Sequence, residues 1–169
     1  MSVIDEVLRA NSGYARAFTL GHLPMPPARK LAVVACMDAR LTVEQVLGLK
    51  TGDAHIIRNA GGIVTEDALR SLLISHYLLG TEEWVIINHT DCGMLTFKDD
   101  DVKHSIASEV GIKPGFALEA FSDLEQDVRQ SMARIQASPF IPNKASVRGF
   151  IYDVRSGHLN EVKARAGVR

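Results

Sequence analysis

The fold of this chain is indicated by one stretch, LAVVACMD from Leu31 to Asp38, an uninterrupted apolar run that closes on a cysteine, a methionine and an aspartate. Apolar runs rich in β-branched residues are typical of strands buried on both faces of a parallel sheet. Similar patterns predict strands over Ala54–Ile57, Glu83–Asn88 and Val147–Val154. A hairpin turn is predicted to lead from the last of these into a final strand over His158–Val162.

Helical patterns separate the predicted strands. A short helix is predicted over Leu41–Leu49, and a longer one runs from its cap at Thr65 to a natural end at Gly80. Ser122 and Glu125 form a capping box for another long helix. That helix carries an apolar stripe on one face, formed by Leu124, Val128, Met132 and Ile135. Alternating strands and helices predict an α/β fold with a mainly parallel central sheet flanked by helices.

The first 30 residues are predicted to form a helical arm and a linker. Ser2 and Asp5 resemble a capping box, and the apolar residues that follow are spaced for a short amphipathic helix. The proline-bearing stretch Gly21–Arg29 is typical of an extended linker. No repeat or low-complexity tract marks a second domain. Residues 1–169 are therefore interpreted as one domain, a length within the ~100–200 residues usual for domains.

One polar segment, Phe97–Gly115, interrupts this alternation. It contains three consecutive acidic residues, Asp99, Asp100 and Asp101. The pattern predicts a short helix plus loops. The acidic run is interpreted as a solvated turn rather than a metal site, as charge runs on a protein surface usually are.

The composition excludes several classes of function. The net charge is −1 and the pI about 6.6, with lysines and arginines scattered, which favours neither nucleic acid nor anionic membrane as a partner. No stretch approaches the ~18 apolar residues of a membrane span, and the N-terminal residues do not resemble a secretory signal. We therefore expect a cytoplasmic protein, in which the two cysteines do not form a disulfide framework.

Two short motifs carry candidate metal ligands. Cys36 ends the first predicted strand in C-M-D-A-R, and His89 and Cys92 lie in H-T-D-C-G directly after another. Two thiolates and one imidazole are a suitable ligand set for zinc, which is usually bound tetrahedrally. Three protein ligands leave the fourth position for water or substrate, which indicates a catalytic site. A structural zinc site, with a second histidine as fourth ligand, remains the alternative.

The first motif also contains a candidate catalytic pair. Zinc lowers the pKa of a bound water to about 7, and Asp38 is placed to accept a hydrogen bond from the resulting hydroxide. Arg40 can hold Asp38 through a bidentate pair and keep it ionised. The alternative is an ordinary surface ion pair, which contributes only ~0–1 kcal/mol to stability.

These motifs, with R-N-A-G-G at 58–62 between them, resemble in order and spacing the β-class carbonic anhydrases, and best their short prokaryotic members. The resemblance implies one zinc ion per chain on Cys36, His89 and Cys92, with Asp38 and Arg40 as the catalytic dyad. It also implies a homodimer or homotetramer in which the N-terminal helix embraces the partner subunit.

The resemblance extends to the substrate pocket. It places the glycine-bearing loop beside the zinc, where backbone N–H groups near Gly61 and Gly62 can hold the developing product. The alternative is a turn that simply links a strand to a helix, which would need the same glycines. Met37 and Ala60 are expected to form an apolar wall, suited to a small neutral substrate.

The implied activity is the reversible hydration of carbon dioxide to bicarbonate. One alternative is hydrolysis of carbonyl sulfide or carbon disulfide at the same zinc site, since enzymes of this fold do both. A non-enzymatic structural zinc module is a further alternative, and the Asp38–Arg40 pair argues against it. A nucleotide-binding domain is disfavoured because the chain has no G-x-G-x-x-G turn after the first predicted strand and no P-loop.

Overall fold

A computed structural model describes residues 2–142 and 146–163, and the predicted single domain of residues 1–169 therefore extends beyond them at both ends. A five-stranded sheet lies at the centre of the described chain, in the order β2-β1-β3-β4-β5. Its strands are β1 (Leu31–Cys36), β2 (Ala54–Asn59), β3 (Glu83–His89), β4 (Ser146–Tyr152) and β5 (Leu159–Val162). The first four are parallel, and β5 pairs antiparallel with β4. The predicted α/β fold with a mainly parallel sheet is confirmed.

The sheet is flanked by helices close to the positions that the sequence predicts. They are α1 (Val3–Arg16), α2 (Val43–Leu47), α3 (Glu66–Leu79), α4 (Asp99–Val110) and α5 (Leu124–Ala137). The predicted ends of α3 are confirmed. The Thr65 side chain accepts a hydrogen bond from the Ala68 N–H, and Gly80 adopts the left-handed conformation at φ 72°. No helix in the described part of the chain is long and apolar enough to cross a membrane.

Helix α1 begins at the predicted capping box, with Ser2 and Asp5 exchanging backbone-to-side-chain hydrogen bonds. It extends to Arg16, further than the short helix that was predicted. Within the described residues α1 contributes nothing to the core. Its apolar side chains instead face outward, with 58–73% exposure for Val3, Ile4, Val7 and Leu8.

Two details of the helical prediction are wrong. Helix α5 is capped by Asp123, whose side chain accepts from the Gln126 N–H, and not by Ser122. Both residues are good caps, so the pattern left a one-residue ambiguity. The acidic run is not a solvated turn: it forms the first turn of α4, where the helix dipole favours negative charge. Asp100 and Asp101 are exposed there, whereas Asp99 binds backbone N–H groups of a later loop.

Strand β1 is the most buried element of the sheet, with every residue from Ala32 to Cys36 at most 4% exposed. One of its faces packs under α3 and α5, against Leu72 and Val128 among others. The other face packs against residues of and near α2, such as Val43, in a second cluster that also contains both cysteines. The candidate ligands therefore belong to the packed interior.

Candidate metal centre

The carboxyl ends of two neighbouring strands bring the candidate ligands together. Cys36 is the last residue of β1 and His89 the last of β3, and these two strands pair in parallel. Ligands in such sheets bind beyond the carboxyl ends of the strands. Cys92 follows in the turn after β3, directly before a 3-10 turn over Gly93–Leu95.

The three ligand atoms are close enough to share one ion. The two sulfurs and a ring nitrogen of His89 all lie within 4.8 Å of one another, and all three residues are buried. Tetrahedral zinc, with bonds of ~2.3 Å to sulfur and ~2.0 Å to nitrogen, would place such atoms roughly 3.5–4 Å apart. In the described part of the chain no second histidine joins this cluster. The described residues thus offer three candidate ligands at this point of the fold.

The ring of His89 is oriented for metal binding. Its Nδ1 lies 2.8 Å from the Thr90 carbonyl oxygen. A carbonyl can only accept, so Nδ1 carries the hydrogen and Nε2 presents its lone pair. Among the described residues, Nε2 of His89 is buried without a hydrogen-bond partner. A buried orphan acceptor directed at two sulfurs fits a bound cation.

The two thiols differ in their electrostatics. The pKa of Cys36 is lowered, first by a hydrogen bond from the Cys92 thiol and further by His89 and the N–H groups of Asp38 and Gly61. That same hydrogen bond and burial raise the pKa of Cys92, whereas the N–H of Met94 acts to lower it. One thiolate is thus already favoured, and a thiolate is the form in which cysteine binds a metal.

Asp38 and Arg40 form the predicted pair at the edge of the cluster. Arg40 donates from Nε to Oδ1 at 3.0 Å and from Nη2 to Oδ2 at 2.8 Å, a bidentate geometry. Oδ2 of Asp38 lies 3.7 Å from Nε2 of His89. The hydrogen bonds from Arg40 hold the pKa of Asp38 well below its usual range, so this carboxylate is ionised beside the candidate ligands.

The sequence did not reveal a second partner of Arg40. Its Nη1 donates to Oδ2 of Asp91 at 2.8 Å and its Nη2 to the Asp91 carbonyl at 3.0 Å. Asp91 lies inside the H-T-D-C-G motif and adopts the left-handed conformation at φ 55°. Arg40 therefore ties the motif that follows β1 to the motif that follows β3.

Arg58 was also missed as a residue of the site. It lies in β2 rather than in the predicted glycine turn. Its Nε donates to the Cys36 carbonyl at 3.0 Å, and its Nη2 donates to the Asp38 carbonyl at 2.6 Å. One guanidinium thus fixes the backbone on both sides of Met37. Nothing in the spacing of the sequence indicates this contact.

The two glycines of the loop after β2 have different roles. A methyl group on Gly62 would lie 2.7 Å from the Cys36 nitrogen and 2.9 Å from the Ile87 carbonyl oxygen, so only glycine permits this approach. Gly61 has φ 84° and lines the cavity together with Cys36. A role of this loop in holding the product stays a prediction.

A cavity of about 340 Å³ opens onto the cluster. Its wall includes the predicted pocket residues Met37, Ala60 and Gly61, whereas Gly62 lies behind the wall against the backbone of β1. Phe97 also lines the cavity and was not predicted. The space is small and largely apolar, with the carboxylate of Asp38 at its floor beside the ligand atoms.

Comparison with known proteins defines the class. The carbonic anhydrase family model matches residues 31–159. Beta-carbonic anhydrase 1 of Mycobacterium tuberculosis is 54% identical over 162 residues, which cover 96% of this chain and 99% of that protein. The carbonic anhydrase of Streptococcus mutans, a solved structure, superposes with a TM-score of 0.92 at 42% identity and covers 96% of this chain and 99% of its own.

The chain therefore belongs to the β-carbonic anhydrase family, as the three motifs predict, and is a lyase of the carbonate dehydratase type. A second kind of enzyme is also similar to this chain. A carbon disulfide hydrolase of Acidithiobacillus thiooxidans is 32% identical over 187 residues, covering 99% of this chain and 94% of that protein.

Proposed function

We propose that this protein catalyses the reversible hydration of carbon dioxide to bicarbonate at one zinc ion per chain, held by Cys36, His89 and Cys92. The observation that carries the proposal is the bidentate Asp38–Arg40 pair beside a buried three-ligand cluster. The 54% identity to a β-carbonic anhydrase supports the same activity.

The donor set favours zinc over harder cations because it combines two thiolates with one imidazole. When bound, zinc supplies Lewis-acid chemistry that makes water a competent nucleophile near neutral pH. His89 keeps its Nε2 free for the ion by donating from Nδ1 to the Thr90 carbonyl. The backbone N–H groups that act to lower the pKa of Cys36 and Cys92 would also lessen the charge that the two sulfurs could donate to a bound ion.

Asp38 orients the attacking water. Its carboxylate accepts a hydrogen bond from that water, which turns an oxygen lone pair towards the carbon of carbon dioxide. Arg40 keeps the carboxylate ionised and restricts its rotation through two hydrogen bonds. The new bond joins the water oxygen to that carbon, while one C=O π bond of carbon dioxide opens and its electron pair moves onto the oxygen of that C=O bond. One proton passes to solvent, and bicarbonate leaves.

The pocket suits a small uncharged substrate. Met37 and Ala60, the two predicted wall residues, present apolar atoms to the cavity, and Phe97 adds an aromatic face. Such a surface neither orders water nor attracts ions strongly. Gly61 contributes to the wall by its backbone.

Hydrolysis of carbon disulfide or carbonyl sulfide is the second candidate, because a carbon disulfide hydrolase is 32% identical across nearly the whole chain. The test is the kcat/KM for each sulfur compound divided by that for carbon dioxide, measured on zinc-quantified enzyme. We expect both ratios to be far below one. A ratio above one for either compound would assign the chain to sulfide release and leave the metal site unchanged.

We also propose that two copies of the chain associate through α1, as a dimer or as part of a tetramer. The apolar face of α1 is 58–73% exposed, and α1 adds no buried side chain to the core of the described residues. A contiguous surface of this kind indicates an interface. Residues 1–30 are then an arm and linker that embrace the partner. The cytoplasmic location stays a prediction.

Charge placed on this face should separate the subunits. The double substitution Val7→Glu with Leu8→Glu is expected to shift the mass measured by sedimentation equilibrium towards that of one chain. Glu6→Lys, at an exposed position on the opposite face of the same helix, is the matched control and should leave the mass unchanged. A wild-type mass of 18.5 kDa, that of a single chain, would refute the proposed association.

A further inference from the structure

Asp99, at the start of α4, binds three consecutive backbone N–H groups of a distant loop. Its Oδ2 accepts from Leu118 at 2.7 Å and from Glu119 at 3.2 Å, and its Oδ1 accepts from Ala120 at 2.9 Å. Glu119 adopts the left-handed conformation at φ 64°, which lets successive N–H groups converge on one anion. The carboxylate therefore determines the path of this loop.

The loop is also held from its other side. Oε2 of Glu119 lies 3.6 Å from Nη2 of Arg134, on α5. Nη1 of Arg134 in turn donates to the Val64 carbonyl at 3.0 Å. The segment before α5 is thus fixed between α4 and α5, and the residue that follows Ala120 has a defined position.

That residue, Phe121, contacts two backbone segments that line the cavity at the candidate ligands. Its N–H donates to the Met94 carbonyl at 3.3 Å. Its ring packs against Gly61, where a methyl group would lie only 3.1 Å from the Phe121 Cε1. Gly61 and Met94 line the same cavity as Cys36 and Cys92, and their N–H groups act to lower the pKa of these two thiols.

We propose that Asp99 is a positioning residue of the metal centre, which acts through Phe121 on the backbone at Gly61 and Met94 beside the candidate ligands. The inference rests on the proposed metal site but not on the identity of the substrate. Hydrogen bonds to a ligand atom tune a metal site, and their loss typically costs about 10- to 100-fold in metal affinity or activity. Since Asp99 acts two steps from the sulfurs, we expect the lower end of that range.

The test measures zinc affinity of the full chain by competition with a chromophoric chelator. Asp99→Asn keeps the shape but removes the charge, and should weaken zinc binding about 10-fold and lower kcat per bound zinc with little change in KM. Asp100→Asn is the matched control. Asp100 is the next residue of α4, its side chain is 79% exposed, and its ion pair is with Lys113 at 3.4 Å. It should leave zinc affinity unchanged.

A double-mutant cycle with Phe121→Leu identifies the route. If Asp99 acts through Phe121, the double variant binds zinc about as weakly as Phe121→Leu alone. Full additivity, or an unchanged zinc affinity in a folded Asp99→Asn protein, overturns the proposal. If Asp99→Asn does not fold, Phe121→Leu is measured alone. An unchanged zinc affinity of that variant would overturn the proposal, because Phe121 is the residue through which Asp99 is proposed to act. These zinc affinities test the proposal even if carbon dioxide is not the substrate.

Discussion

Replacing Asp38 with asparagine is expected to lower kcat/KM for carbon dioxide by about 100- to 1,000-fold while zinc remains bound. The amide has one acceptor oxygen instead of two and carries no charge, so it cannot keep the bidentate pair with Arg40 and orients the attacking water less well. The carboxylate of Asp38 is not a member of the buried cluster of candidate ligands. Stopped-flow kinetics on protein of known zinc content measure the effect.

The matched control is Asp67→Asn. Asp67 also accepts two hydrogen bonds from one arginine, Arg70, but lies on the exposed surface of α3. Its loss should leave kcat/KM unchanged and alter stability only slightly, as expected for an exposed ion pair. If Asp38→Asn behaved in the same way, the Asp38–Arg40 pair would be an ordinary surface contact and the proposed mechanism would fail.

Replacing His89 with alanine is expected to abolish stoichiometric zinc binding and to reduce activity by at least about 1,000-fold. The change removes the imidazole ligand and leaves two thiols, which hold a metal poorly on their own. Elemental analysis of the purified protein and a carbon dioxide hydration assay, before and after dialysis against excess zinc, give both readouts.

His104→Ala serves as the control for this substitution. His104 lies on exposed α4, and its Nδ1 contacts the Asp100 carbonyl of the same helix at 2.7 Å. That variant should retain one zinc ion per chain and full activity. Full zinc content in a folded His89→Ala protein would contradict the assignment of His89, and Cys92→Ser would then have to be compared on the same assay.

The sheet was predictable because its central strands are buried on both faces. Burial of β1 on both sides requires an unbroken apolar run, and LAVVACMD is such a run. The helix ends at Thr65 and Gly80 were predictable for a similar reason, since capping is a local property of a few residues. The boundary at Ser122 was wrong because two adjacent residues could each cap the helix.

The candidate site was predictable only in its local parts. Cys36, Asp38 and Arg40 lie within one short motif, and His89 and Cys92 within another, so their spacing carries the chemistry. The residues that support them come from elsewhere in the fold. Asp91 accepts a hydrogen bond from Arg40, and Arg58 donates to two backbone carbonyls. Asp99 accepts hydrogen bonds from the loop before α5. No pattern along the chain indicates such pairings, because they depend on how the elements pack.

The placement of the ligands on two strands also affects the order in which the protein matures. His89 and Cys92 are neighbours in the chain, but Cys36 reaches them only after β1 and β3 have paired in parallel. Parallel pairing needs a long crossover connection and is a late, non-local event in folding. If the ion binds as proposed, its three-ligand site is complete only when these two strands are paired. We therefore expect tight metal loading to accompany or follow assembly of the sheet.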